Sequence, residues 1–379
     1  MTQAVWQPFV LSLGAPMSTL GLLESLGGWR GVVTALIQPF GGWLSDRVGR
    51  KPLIAAGSLI GLIAIAFYLL AAFSGSWLWL LPGTIFLGLT MASIPAHDSL
   101  VAESAHVSQR GMAYSIFTLA WTVPGIFAPA LGGFIADHWG FSPVFLLRLS
   151  LEGLCLLIIF RLLQETVTKK SGGVSLQELK ELTARLLVPP RRLRGLYWAM
   201  AIDGFSWGFG LALLFGMLSE SFGFTTFQLG LLSGISSLAW AIFQLPVGRL
   251  VDRYGCKRFL LVSEVMSVGC IVLLVLWPTF LGVSIAYALL GVTAALWVPA
   301  LLKMIAGSVS EKTRGMVMGL VFTVQGLGRF PSPMLAAWLY STWGYTMPLL
   351  AGLGGACVVI VLIAVLVRDP PANAPAAGG

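Results

Sequence analysis

Charge is what this sequence lacks most. Asp, Glu, Lys and Arg make up 10% of its 379 residues, against about 25% in a water-soluble domain. A fold surrounded by water is thereby excluded for most of the chain. Histidine is scarce, with three residues, and cysteine is limited to four. Cys155, Cys256, Cys270 and Cys357 have no paired spacing, so neither a disulfide framework nor a metal site is implied. No His-Glu-x2-His and no Gly-x4-Gly-Lys-Ser/Thr occurs, which argues against zinc and nucleotide hydrolysis and calls for no cofactor. The first apolar run has no basic flank, so no cleavable signal peptide is expected.

What is present is apolar. Hydrophobic residues reach 57% and mean hydropathy is +0.89. Apolar runs cover 4–14, 19–44, 53–73, 77–97, 111–135, 142–163, 195–218, 228–248, 259–277, 280–303, 315–340 and 347–367. A helix crosses a hydrocarbon layer about 30 Å thick with roughly 20 residues, and runs of this length without two-residue alternation point to helices. The expectation is an all-α membrane protein with twelve spans. The first run would rise only about 15 Å as a helix, so it is expected to be truncated, with the native start upstream.

The net charge of +8 is explained by where the basic residues fall. Of the 23 Lys and Arg residues, all but Arg30, Arg148 and Arg329 lie in or beside alternate loops on one side. By the positive-inside rule those loops and both termini face the cytoplasm of a multi-pass protein, as in a prokaryotic inner membrane. The basic excess is therefore a topology signal of a chain embedded in the lipid bilayer and implies no nucleic acid.

Residues 164–194 form the one long polar segment. Within it, Leu176, Leu179, Leu182 and Leu186 recur at helical spacing between charges, predicting an amphipathic surface helix that Pro189-Pro190 ends. This segment separates units at 1–163 and 195–367, and residues 368–379, rich in Pro, Ala and Gly, read as a disordered tail.

The two units repeat each other. Gly42, Asp46, Arg47, Gly49 and Lys51 match Gly248, Asp252, Arg253, Gly255 and Lys257 at an offset of 206. Pro95-Ala96, Arg110-Gly111-Met112, Pro129 and Trp139-Gly140 then match Pro299-Ala300, Arg314-Gly315-Met316, Pro333 and Trp343-Gly344 at an offset of 204. Parallel repeats of this kind suit two bundles that rock about a central site.

The segment Gly42 to Lys51, with its Asp46-Arg47 pair and Gly49-Arg50-Lys51, resembles motif A of the major facilitator superfamily. The copy from Gly248 departs from it at Cys256, where the family has a second Arg. The resemblance implies two six-helix bundles related by a pseudo-two-fold axis along the membrane normal. It also implies that Asp46 latches onto the eleventh helix near Arg314, and Asp252 onto the fifth near Arg110, with Gly42 allowing close helix approach. Pro124, Gly125, Pro129, Gly132 and Gly133 resemble the antiporter signature of the family's drug–proton exchangers, with Ala128 replacing a second Gly. The competing reading is an ordinary Gly/Pro kink. Trp77–Ile94 holds no Arg where proton-coupled members place one in the fourth helix.

Ionisable groups inside a bilayer cost about 2.5–3.5 kcal/mol on insertion scales, so each is a functional candidate. Asp203, flanked by Gly204, Trp207 and Gly208 on a helix that lines the cavity in this family, is a candidate proton carrier or a partner for an Arg. Arg30 and Arg329 are placed either to hold an anionic group or to pair with Glu24 or Asp203. Arg148 and Glu152, one turn apart, are expected to form an internal ion pair. Trp121, Trp207, Trp240 and Trp297 fall inside spans, where they stack on a flat or cationic substrate or simply pack.

Together these features predict a monomeric secondary transporter that is not an enzyme, coupled to protons or another ion, exporting small amphiphilic molecules. A symporter or uniporter for a small anionic metabolite is the first alternative, motivated by the membrane Arg residues. A membrane-embedded enzyme or receptor is the second, and no catalytic motif supports it.

Overall fold

The computed structural model describes residues 2–27, 31–104, 106, 110–165, 193–309 and 311–369. Arg30, the predicted surface helix and the tail beyond Asp369 lie outside them, as do the side chains of Arg110, Asp252 and Arg314. The first half holds α1 (Thr2–Ser12), α2 (Met17–Leu26), α3 (Val32–Val48), α4 (Arg50–Ser74), α5 (Leu80–Leu89), α6 (Ile94–Ser104), α7 (Arg110–Trp139) and α8 (Phe141–Leu162). The second holds α9 (Arg194–Gly210), α10 (Leu214–Phe222), α11 (Thr226–Tyr254), α12 (Cys256–Leu276), α13 (Phe280–Ala306), α14 (Glu311–Arg329), α15 (Ser332–Trp343) and α16 (Thr346–Leu366).

Among the described residues, nine helical stretches are long and apolar enough to cross a membrane. The other three expected spans fall short for identifiable reasons. Helix α1 has only 11 residues. The second span is divided between α2 and α3, and the eleventh is both broken at Phe330-Pro331 and charged at Glu311, Lys312, Arg314 and Arg329. Hydropathy thus misses the spans that are short, divided or charged.

Burial sorts the spans by position. The most apolar window of Arg194–Phe222 is 72% buried, whereas that of Phe141–Leu162 is 17% buried. The former is central and the latter peripheral, with Phe160 and Leu162 left on the outer surface. Outward-facing side chains of this size need hydrocarbon rather than water around them.

The two motif A segments make the same sharp connection. Gly49 (φ 112°) and Gly255 (φ 88°) join α3 to α4 and α11 to α12 in a backbone region closed to most side chains. Immediately after each, an acidic side chain from the other end of the half caps the new helix. Glu165 accepts from the Arg50 and Lys51 amides at 3.0 and 3.2 Å, and Asp369 accepts from those of Cys256 and Lys257, each at 2.8 Å. A carboxylate there satisfies open N–H groups and meets the positive helix end. Lys51 and Lys257 complete the device by donating to Phe160 and Ala364 carbonyls.

The halves meet unevenly. One hydrophobic cluster draws on both: Phe9, Leu20, Leu23, Tyr68 and Phe145 pack with Leu213, Leu214, Met217 and Ala336. Nearer motif A the clusters separate, one holding Leu196, Met200, Val251, Leu260 and Met304, the other Leu53, Ile54, Ala96 and Ile159. Each of these is confined to a single half. The bundles are therefore joined by a buried core at the end away from motif A.

The antiporter-like residues lie along this junction. Helix α7 packs on α11 through Gly133 against the Thr226 backbone and Pro129 against Gly230, with Gly125 beside Ser237. Asp137 then caps α11, accepting from the Thr226 and Phe227 amides at 3.0 and 2.8 Å and from the Thr226 hydroxyl. Small residues let backbones approach closely where no hydrophobic force separates lipid from protein. Replacing Gly133 with Leu is expected to lower stability by about 1–3 kcal/mol, measured by thermal unfolding in detergent. Gly269→Leu, whose Cβ meets open space, is expected to leave Tm unchanged.

Candidate functional site

A cavity of about 200 Å³ lies between the halves. Thr34, Ala35 and Gln38 of α3, with Met91 and Ile94, line it from the first half. Gly204 and Trp207 of α9 and Phe322, Gln325, Gly326 and Arg329 of α14 line it from the second. Its wall is mostly apolar with a few polar groups, the usual makeup of a small-molecule site. The halves touch beside it, where the Thr323 hydroxyl donates to the Ala35 carbonyl at 3.1 Å.

Asp203 stands behind this wall and is 2% exposed. Gln325, itself a cavity residue, donates from Nε2 to Asp203 Oδ2 at 2.5 Å. An amide thus connects a buried carboxylate to the space between the bundles. Gly204 and Gly208 permit the packing, since Gly204 sits on the Gln325 backbone and Gly208 on Ser332.

Arg329 also faces the cavity, with Glu24 beside it at 3.9 Å. Both side chains are about 15% exposed, so each needs the other more than a surface pair would. Glu24 is one of the carboxylates expected to pair with Arg329. Glu24 is held in turn by Gln7, which donates to it at 3.0 Å.

Gln7 also repairs a break in the seventh span. Between α9 and α10 the helix lapses at 211–213, which leaves backbone groups that a bilayer cannot solvate. Gln7 donates to the Ala212 carbonyl at 2.6 Å and accepts from the Gly216 amide at 2.7 Å. One side chain from the first half thereby completes a helix of the second. Neither Gln7 nor Asp137 was signalled by the sequence reading, because their partners are backbone atoms far along the chain.

At the opposite end, the motif A contacts found among the described residues lie within one half. Arg50 donates to Asp46 at 2.6 Å, to Glu103 at 2.9 Å and to Ser45 at 3.1 Å. Arg47 lies over the Trp43 ring at 4.4 Å, and Arg253 over Tyr254 at 5.3 Å. The Asp46 side chain is 64% exposed, so its pairing is worth roughly 0.2–1 kcal/mol and is cheaply exchanged. The close approach expected at Gly42 falls instead at Gly41, against the Ala92 backbone, while Gly42 and Gly248 have ordinary room.

The remaining expected residues are dispersed. Trp207 lines the cavity. Trp297 packs on the second-half cluster, and Trp121 is 54% exposed and set edge-on to Phe117. Trp240 is half-buried, its indole N–H enclosed without a hydrogen-bond acceptor among the described residues. Arg148 donates to the Thr2 hydroxyl at 2.5 Å and Glu152 rests near Gly61, so the expected Arg148–Glu152 ion pair is not formed among the described residues.

The sequence profile of the Major Facilitator Superfamily matches residues 1–218 and again 196–379. The chain belongs to this superfamily. It is a multi-pass membrane transporter and not an enzyme. The multidrug resistance protein MdtG of Salmonella paratyphi A is 25% identical over 332 residues, covering 85% of this chain and 81% of that protein, and MdtG of Salmonella typhi matches equally. Among solved structures, the nucleoside transporter NupG aligns with a TM-score of 0.76 at 16% identity, over 96% of this chain and 94% of that one. The human organic anion transporter MFSD10 aligns at 0.66 and 21%, over 95% and 89%. These structures share the superfamily fold of two six-helix bundles.

The Glu24–Arg329 pair yields a direct test. Arg329→Met, which strands Glu24, is expected to cost about 1–3 kcal/mol. The double change with Glu24→Gln should recover part of that loss in thermal unfolding. Purely additive losses would show that the two charges do not interact.

Proposed function

We propose that this transporter exports small amphiphilic molecules in exchange for protons, by alternating access. The observation that carries the reading is the cavity between the halves, apolar over most of its wall and linked through Gln325 to the buried Asp203. An amphiphile is held by Trp207, Phe322 and Met91, and its polar part by Gln38 or Thr34. The Glu24–Arg329 pairing argues against the anionic-metabolite reading, because that Arg already has a counter-charge. Similarity to proteins named for multidrug resistance supports export.

In this proposal the bundles are joined at the outer end by the Gln7–Glu24–Arg329 cluster and the shared core. The motif A end faces the cytoplasm of an inner membrane, as do both termini, and the protein acts as a monomer. Reversal separates the outer end and draws Asp46 toward α14 and Asp252 toward α7. The weak, exposed Asp46–Arg50 pairing suits an acid that must change partners.

Efflux of ethidium by cells expressing the chain tests the reading. Collapse of the proton gradient is expected to abolish efflux, and Asp203→Asn to reduce it at least tenfold. Efflux that persists without a gradient would contradict proton exchange. Asp46→Asn is expected to lower turnover several-fold with little change in the half-saturating ethidium concentration. A change in affinity alone would contradict the latch.

A further inference from the structure

The second half buries a carboxylate that the cavity description leaves out. Glu264, on α12, is 3% exposed and lies eight residues from the motif A end of its helix. Asp203 lies nine residues from the same end of α9. At a rise of about 1.5 Å per residue both sit at similar depth, near the middle of their spans. Ser206, three residues beyond Asp203 and so on the same face of α9, shares a cavity lining with Glu264.

Between α9, α12 and α16 is a small cavity of about 10 Å³, room for roughly one water molecule. Glu264, Ser206 and Ser267 give it polar lining, and Trp207 forms part of its wall as well as part of the central cavity. Trp207 therefore separates the two spaces, and Gln325 joins the central one to Asp203.

The other elements packed against α12 bring little charge to this depth. Lys303 of α13 is near that helix's end and donates to the Val251 carbonyl at 3.1 Å. Arg249 and Arg253 of α11 also lie toward the motif A end, and α16 contains no Asp, Glu, Lys, Arg or His. Tyr254 of α11 and Cys256, Lys257 and Arg258 of α12 lie at the motif A end. Tyr287 of α13 is beside Phe215, Cys270 of α12 is in the interior and Cys357 of α16 is exposed, while on the Asp203 side Arg329 lies one turn beyond Gln325 on α14.

Two carboxylates enclosed together in a medium of low dielectric strongly disfavour double ionisation, and such pairs titrate as a unit. We propose that Asp203 and Glu264 form the coupling site, holding one exchangeable proton between them beside the small cavity that Glu264 and Ser206 line. Loaded, the pair carries one negative charge, and after release it carries two. The second charge pulls the Gln325 amide toward Asp203 and away from the central cavity, so proton release and substrate contact are coupled at one side chain. This rests on the proton-exchange reading above, and it adds Glu264 as the second member of the site.

The test uses the full chain in proteoliposomes, with ethidium as the transported probe and an enclosed pH-sensitive dye. Wild type is expected to accumulate ethidium when a proton gradient is imposed. Glu264→Gln should lose at least tenfold of that accumulation while downhill ethidium exchange, which needs no net proton movement, persists. Glu264→Asp should restore part of it. Glu264→Gln that accumulates ethidium as well as wild type would overturn the shared site while leaving proton exchange intact. Wild type that accumulates none would instead overturn the underlying reading. Infrared spectroscopy of the detergent-solubilised protein gives a readout independent of transport. A carboxylic-acid band that shifts in heavy water is expected in wild type and in Glu264→Asp and should be absent from Asp203→Asn and Glu264→Gln. A band unchanged in both neutral variants would also overturn the site.

Discussion

A polar group inside a bilayer has no water to fall back on, so each one must be met by the protein. This constraint decides where the chain is interrupted and what holds the interruptions. The lapse between α9 and α10 is met by Gln7, Glu24 is met by both Gln7 and Arg329, and the start of α11 is met by Asp137. All but the Gln7–Glu24 bond cross between the halves. The polar groups that the membrane penalises most are the ones that join the two bundles, and they do so at the end where the hydrophobic core is also shared.

The other end is organised differently. Glu165 and Asp369, separated by the same 204 residues as the second repeat, cap α4 and α12 within their own halves. Arg50 keeps Asp46 and Glu103 within the first half. Among the described residues, each bundle thus carries its own contacts near motif A, and the shared core fastens it to its neighbour at the far side. A body built this way can hinge about its joined end without unpacking either bundle, because the contacts within each half are left intact.

Much of the architecture was legible in the sequence. Low charge and long apolar runs announced membrane helices, and the repeat announced two similar halves, because burial in lipid and duplication both act on local composition. Hydropathy was least informative for the first, second and eleventh spans, and the eleventh breaks at Phe330-Pro331 beside Arg329, which lines the central cavity. Asp203 stood out because a lone carboxylate in an apolar run is costly. Glu264 met the same criterion and was overlooked, and only the fold brings the two together. Gln7, Asp137, Glu165 and Asp369 act on backbone atoms of distant helices, and residue type alone carries no sign of such a partner.

The central claim is that two bundles, each internally fixed, move about their junction. Spin labels on Val48→Cys and Tyr254→Cys would report the motif A end, and labels on Trp139→Cys and Phe222→Cys the joined end, with the native cysteines replaced. All four positions are exposed. Distance measurements while pH and ethidium are varied should show one pair closing as the other opens. If both distances stay fixed under every condition that supports transport, or if both change in the same direction, the account is contradicted.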